Sequence, residues 1–217
     1  MKLYLDGADH RTWTLPAGAP PVQGVTTNPT LVRQAGLRVT LADYLGLIAR
    51  AGEARLPELM LQLPEPDVAQ GQDWIAQLAP AAAQAGVALT IQLPCHPDWA
   101  ALAAATRAAG VPVLITGVAN PVQLLWARAQ GARWVAPYFS RLVADGRDAW
   151  GLMQACVALP AGAPQLLAAS VKTADDLARL IGMGAQAVTL RPEMVASLCH
   201  DRLTQAAIEQ FKADCAD

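Results

Sequence analysis

The sequence predicts an α/β fold, a single (β/α)8 barrel spanning residues 1–217, and three observations predict it. Short apolar runs with strand character recur about eight times along the chain. Ala- and Leu-rich segments with helical spacing lie between them. Several of those segments close on a glycine that leads into the next apolar run, which suits a left-handed helix cap. Repeated βα units favour a parallel sheet. Eight of them in 217 residues favour a closed barrel over an open doubly wound sheet. No GxGxxG fingerprint supports a dinucleotide version of the open sheet.

The expected strands, in order, are Lys2–Asp6, Gln23–Asn28, Glu58–Leu63, Leu89–Leu93, Val113–Thr116, Trp134–Tyr138, Gln165–Ser170 and Ala187–Leu190. The fourth shows the alternation best. Leu89, Ile91 and Leu93 share one face, Thr90 and Gln92 the other, and Pro94 ends it because it cannot donate to a ladder. Helical spacing predicts helices over Val68–Ala85, Trp99–Ala109, Pro121–Ala129, Asp148–Ala158 and Thr173–Ile181. Gly86, Gly110, Gly131 and Gly184 close four of the units. Residues 7–22 hold Gly7, Pro16, Gly18, Pro20 and Pro21, so a loop is expected in place of the first helix. Asp201–Ala213 reads as an extra amphipathic C-terminal helix.

Composition narrows the function. Apolar residues make up 53% and charged residues 16%, which implies extensive burial rather than disorder. A net charge of −2 with 16 basic residues leaves no basic footprint for nucleic acid. Asp6 comes too early for a signal-peptide core, and no apolar run reaches a membrane span. A cytoplasmic protein is expected. The four cysteines form no CxxC or CxxH pair and read as reduced thiols. His10, His96 and Asp6 come from different sectors of a barrel, so no metal or other cofactor is expected. Cys95 and His96, as neighbours at a strand end, point apart and make a poor nucleophilic pair.

In a parallel barrel the active site lies at the C-terminal ends of the strands. The last polar-face residues of the strands are Asp6, Asn28, Gln62, Gln92, Thr116, Tyr138 and Ser170, all in phase to point inward. Seven polar groups converging on one mouth have the character of a ligand site. Asp6 is a candidate general acid or base, or a cap for the following loop. Thr26, Thr27 and Asn28 suit the hydroxyls of a small polyol, or a turn and helix N-cap. Arg141, Ser170 and Lys172 form a candidate phosphate clamp.

Tyr-Leu-Asp at 4–6, Gly-Val-Thr-Thr-Asn-Pro at 24–29, Val-Ala-Pro-Tyr at 135–138 with Arg141, and Leu-Ala-Ala-Ser-Val-Lys-Thr at 167–173 resemble the transaldolase family. The resemblance covers nearly the whole chain. Gln62 and Tyr138 favour its fructose-6-phosphate aldolase-like branch. The resemblance implies a (β/α)8 barrel, a sugar or sugar-phosphate ligand and a homo-oligomer. It also implies class I aldol chemistry through a lysine Schiff base. On the matched positions, Asp6 would move a proton, Gln62, Thr116 and Tyr138 would position water or relay protons, Asn28 would bind a hydroxyl, and Arg141 and Ser170 would hold phosphate.

The family's Schiff-base lysine falls on Gln92. An amide nitrogen is delocalised into its carbonyl and cannot form an iminium. Of the three lysines, Lys2 starts its strand, Lys212 lies in the last helix, and only Lys172 stands near the expected site. Three functions follow. One is a pocket that binds a sugar or sugar phosphate with the family's aldol activity absent or very weak. Another is an active aldehyde-lyase or transferase using Lys172 or non-covalent proton transfer by Asp6. In the third, the Gln92 amide NH2 polarises a carbonyl while Asp6 moves a proton.

Overall fold

Alternating apolar residues with β-branched and aromatic members set the strands, and proline and glycine punctuate them. The computed structural model describes residues 1–216. In chain order the elements begin with β1 (Lys2–Asp6), β2 (Gly24–Thr26), α1 (Pro29–Gln34), α2 (Leu41–Glu53) and β3 (Glu58–Gln62). There follow α3 (Val68–Gln84), β4 (Ala88–Pro94), α4 (Ala100–Ala108), β5 (Val113–Thr116), α5 (Pro121–Ala129) and β6 (Trp134–Ala136). The chain continues with α6 (Phe139–Ala144), α7 (Ala149–Val157), β7 (Gln165–Ala168), α8 (Ala174–Met183), β8 (Ala187–Leu190), α9 (Pro192–Cys199) and α10 (Arg202–Asp214). The eight strands are all parallel and close in sequence order, with β1 pairing both β2 and β8. This is a (β/α)8 barrel with an additional C-terminal helix. Between β1 and β2 the chain forms only a 3₁₀ turn at His10–Thr12.

Local chemistry explains most boundaries. Asn28, Thr40, Asp67, Asn120, Asp148, Thr173 and Asp201 each accept a backbone N–H at a helix start. Pro29, Pro121 and Pro192 occupy the first helical turn, where a missing N–H costs nothing. Gly184 caps α8 in the left-handed region, at φ 85°. Gly24 answers to a different demand: a Cβ there would lie 2.0 Å from the Glu58 carbonyl oxygen, so β2 and β3 meet at a glycine.

Four expected strands end early, β3 by one residue at Gln62. β2 stops at Thr26 because Asn28 turns to cap α1. β6 stops at Ala136, before Pro137, which has no N–H for the ladder. β7 stops at Ala168; Leu167 and Ala169 face the lumen while Ala168 packs outward, so the expected inward phase of Ser170 does not hold, and Ser170 reaches the chamber wall only through a left-handed turn at φ 59°. The sequence reading did not place α1, α2, α6 or α9, of which α1, α6 and α9 have eight residues or fewer.

The barrel lumen is filled by Tyr4, Met60, Leu114, Trp134, Ala136, Leu167, Ala169 and Ala187. The outward strand faces pack against the helices in a second, larger apolar layer. At the N-terminal end of the lumen lies a buried carboxylate, Glu58. It accepts from Tyr4 Oη at 2.7 Å and Thr90 Oγ1 at 2.6 Å, with Arg133 at 3.6 Å. Lys2 lies over the Trp134 ring at that same end. No described helix is long and apolar enough to cross a membrane.

Candidate functional site

The C-terminal ends of the strands enclose two joined chambers. The inner one, about 20 Å³, is walled by Asp6, Thr26, Thr27, Asn28, Gln92 and Thr116, with Leu114, Ala136, Tyr138, Leu167, Ala169 and Thr189. That volume takes about one water molecule. The outer chamber, about 190 Å³, shares Asp6, Asn28, Tyr138, Ala169 and Thr189 and adds Arg141, Ser170, Lys172 and Arg191. It is smaller than the roughly 300–1,000 Å³ of a drug-sized site and suits a small metabolite.

Asp6 ends β1 and is partly buried. Thr26 Oγ1 donates to its Oδ1 at 3.2 Å, and Arg191 Nε stands 3.8 Å from its Oδ2. Burial raises its pKa, and Arg191, the Thr26 bond and Arg141 oppose that rise. A carboxyl displaced in this direction is better matched to proton transfer than a free one. Thr26 Oγ1 also shares a 2.7 Å bond with Thr189 Oγ1, which links β1, β2 and β8.

Gln92, 5% exposed, projects from β4. Its Nε2 donates to the Thr27 carbonyl at 2.7 Å and to the Met60 carbonyl at 3.0 Å. Both amide hydrogens are therefore committed to backbone, and none remains to polarise a ligand carbonyl. What Gln92 offers the inner chamber is its acceptor oxygen. Thr27 lines the same chamber, and its hydroxyl is buried without a protein partner. Thr116 Oγ1 donates to Tyr138 Oη at 2.6 Å, and the Tyr138 ring carries the Arg141 guanidinium at 4.4 Å.

Ser170 is held by its backbone. Its carbonyl oxygen accepts from Ser140 N at 3.2 Å and Ser140 Oγ at 2.5 Å. This fixes the turn from β7 toward Lys172, whose side chain is exposed at the rim. Lys2 lies at the opposite end of the barrel and Lys212 in α10, so Lys172 is the one lysine of the chain in a chamber wall.

Gln62 stands apart from the other expected site residues. It is in register with Gln92, but it belongs to neither wall, and its carbonyl oxygen accepts from Tyr44 Oη at 2.7 Å. Thr189 and Arg191 were absent from the sequence-derived set. The signal was present: Thr189 is the last inward polar residue of β8, and Arg191 follows in phase. His96 faces its own turn, near Asp98, and Cys95 Sγ faces the Gln123 carbonyl at 3.7 Å. Burial pushes the Cys95 thiol up to about 11. Among the described residues no group of three or more His, Cys, Asp or Glu is placed to hold a metal ion.

No protein-family model matches the chain. Similarity to curated proteins runs end to end. A probable transaldolase from Caulobacter sp. (strain K31) is 29% identical, over 100% of this chain and 97% of its own length. A probable transaldolase from Exiguobacterium sibiricum is 28% identical, over 99% and 97%. One from Nitrosopumilus maritimus is 26% identical, over 99% and 94%. These full-length matches support a transaldolase-family assignment. Both chambers open at the C-terminal strand ends, where (β/α)8 barrels carry their active sites.

Proposed function

We propose that this transaldolase-like protein of carbohydrate metabolism binds a small polyol or sugar phosphate in the outer chamber and forms little or no Schiff base. The observation that carries this is the Gln92 amide, tied by both hydrogens to the Thr27 and Met60 carbonyls. It has no lone pair available for attack on a ketone and no proton to give. The names of the relatives, probable transaldolase, support the carbohydrate class. Arg141, Ser170 and Lys172 receive the phosphate. Asn28 receives a hydroxyl in the outer chamber, and Thr26 and Thr27 act on the ligand from the adjoining inner chamber. Asp6, Thr116 and Tyr138 form the proton-handling side, with Gln62 beside Gln92 on the neighbouring strand. A homo-oligomer in the cytoplasm is part of the proposal. Leu203 and Phe211, exposed on α10, suit contact with a second copy.

Incubation with dihydroxyacetone or fructose 6-phosphate, followed by borohydride and intact mass measurement, tests the reading. The expected result is no adduct on the native chain and a single adduct at position 92 in Gln92→Lys. An adduct mapping to Lys172 of the native chain would overturn it.

One observation favours a second reading, an active lyase or transferase. Asp6, with its pKa raised by burial, faces the same chamber as Lys172. Aldol cleavage that persists in native protein and disappears in Asp6→Asn would select it.

A further inference from the structure

The outer chamber is more cationic than a single phosphate clamp requires. Arg141, Lys172 and Arg191 line it against one carboxylate, Asp6, an excess of two positive charges when Asp6 is ionised. None of the three cations donates a side-chain hydrogen bond among the described residues. Arg141 rests on the Tyr138 ring, and Arg191 approaches Asp6 only to 3.8 Å.

The three cations fall into two sectors. Arg141 in α6 and Lys172 after β7 flank Ser170. Arg191 follows β8 and meets Asp6 on the neighbouring β1. A phosphate in the first sector leaves the Arg191 guanidinium fork with no hydrogen bond among the described residues and with its Nε 3.8 Å from Asp6 Oδ2. That planar fork matches a carboxylate, which it binds through two parallel charge-assisted hydrogen bonds. Thr189, two residues before Arg191, lines the same chamber and offers a hydroxyl to the adjoining carbon.

We infer that the ligand is anionic at both ends: a phosphorylated sugar acid, with its phosphate against Arg141, Ser170 and Lys172 and its carboxylate on Arg191. This rests on the proposed sugar-phosphate reading of the outer chamber. A carboxylate head is consistent with Gln92, because such a ligand presents no ketone for an amine to attack. Asp6 faces the same sector, and its burial, which favours the neutral carboxyl, lessens repulsion of the incoming carboxylate.

Two probes separate the possibilities by calorimetric titration of the full chain. Glucitol 6-phosphate and 6-phosphogluconate share a carbon skeleton and differ at C1, a hydroxymethyl in one and a carboxylate in the other. The acid is expected to bind about tenfold more tightly. Arg191→Gln should remove that preference, lowering affinity for 6-phosphogluconate about tenfold more than for glucitol 6-phosphate, while Arg191→Lys should retain part of the preference. Far-UV circular dichroism of both variants reports on folding, and half-exposed Arg191 lies outside the core. Equal affinities in native protein, or a preference that survives Arg191→Gln, would overturn the inference and leave the sugar-phosphate reading standing. Binding of neither probe would overturn both.

Discussion

The Gln92 side chain donates to the carbonyl oxygen of Thr27 at 2.7 Å, a bond that reaches from β4 across β3 to the end of β2. The Met60 carbonyl on β3 accepts from the same amide and from Thr27 N at 3.0 Å. Three neighbouring strands are thus tied together at the wall of the inner chamber. Gln92 acts as a brace as well as a chamber wall.

Removing the brace should be measurable. Gln92→Ala leaves the Thr27 carbonyl without its donor inside the barrel, at a cost of about 1–3 kcal/mol. A lysine retains donors that can reach both carbonyls, so Gln92→Lys should cost less. Urea midpoints of the two variants against native protein check the order.

Asp6 predicts a pH dependence with a definite sign. Burial is the largest cause of its shift and raises its pKa above 3.8. The folded chain therefore holds this proton more tightly than the unfolded chain. Stability from this group is full below 3.8 and declines as pH rises through the folded value. Asp6→Asn removes the burden of an ionised carboxyl. Denaturation at pH 7 should find the variant more stable than native, and the difference should close in acid below 3.8.

Ser170 carries backbone strain within the candidate phosphate site. At φ 59° a residue with a Cβ is disfavoured by roughly 1–2 kcal/mol, and glycine loses about 0.5–1 kcal/mol through its freer unfolded chain. Ser170→Gly should therefore gain about 0.5–1 kcal/mol in thermal unfolding. It should also weaken binding of glucitol 6-phosphate, because the hydroxyl leaves the chamber wall. Strain kept at a polar residue in the wall fits a role in binding better than a role in folding.

The cysteines should divide by accessibility and acidity. Cys199 and Cys215 are exposed, whereas burial pushes Cys95 to about 11 and Cys156 to about 12. At neutral pH the latter two are almost wholly protonated and poor nucleophiles. Iodoacetamide labelling followed by peptide mass mapping should find Cys199 and Cys215 modified first, Cys95 slowly and Cys156 last.

Strand positions and most of the chamber wall were legible in the sequence because their causes are local. Alternation set β1, β5 and β8 to the residue, Gly184 announced its cap, and a helix N-cap at Asn28 stood as one of two readings. Asp6, Gln92, Thr116 and Tyr138 followed from strand phase, since a parallel barrel brings every C-terminal strand end to one mouth. The same phase rule, extended to β8, reaches Thr189 and Arg191.

Other features arise from contacts between residues far apart in sequence, which local pattern does not encode. Phase gave Gln62 and Gln92 the same prospects. Tertiary structure leaves Gln62 outside both walls and turns the Gln92 amide onto the Thr27 and Met60 carbonyls, where its hydrogens are consumed. The Glu58 carboxylate finds Tyr4 and Thr90 only because β1, β3 and β4 converge on one lumen. Asp6 meets Arg191 because closure of the barrel sets β8 beside β1. The chain alone determined the strands and, through their two-residue period, the inward phase of Asp6, Gln92 and Thr116, but not that of Ser170 or the place of Gln62. Closure decided which of their donors and charges remain free, because hydrogen bonds and ion pairs are settled by distance in space.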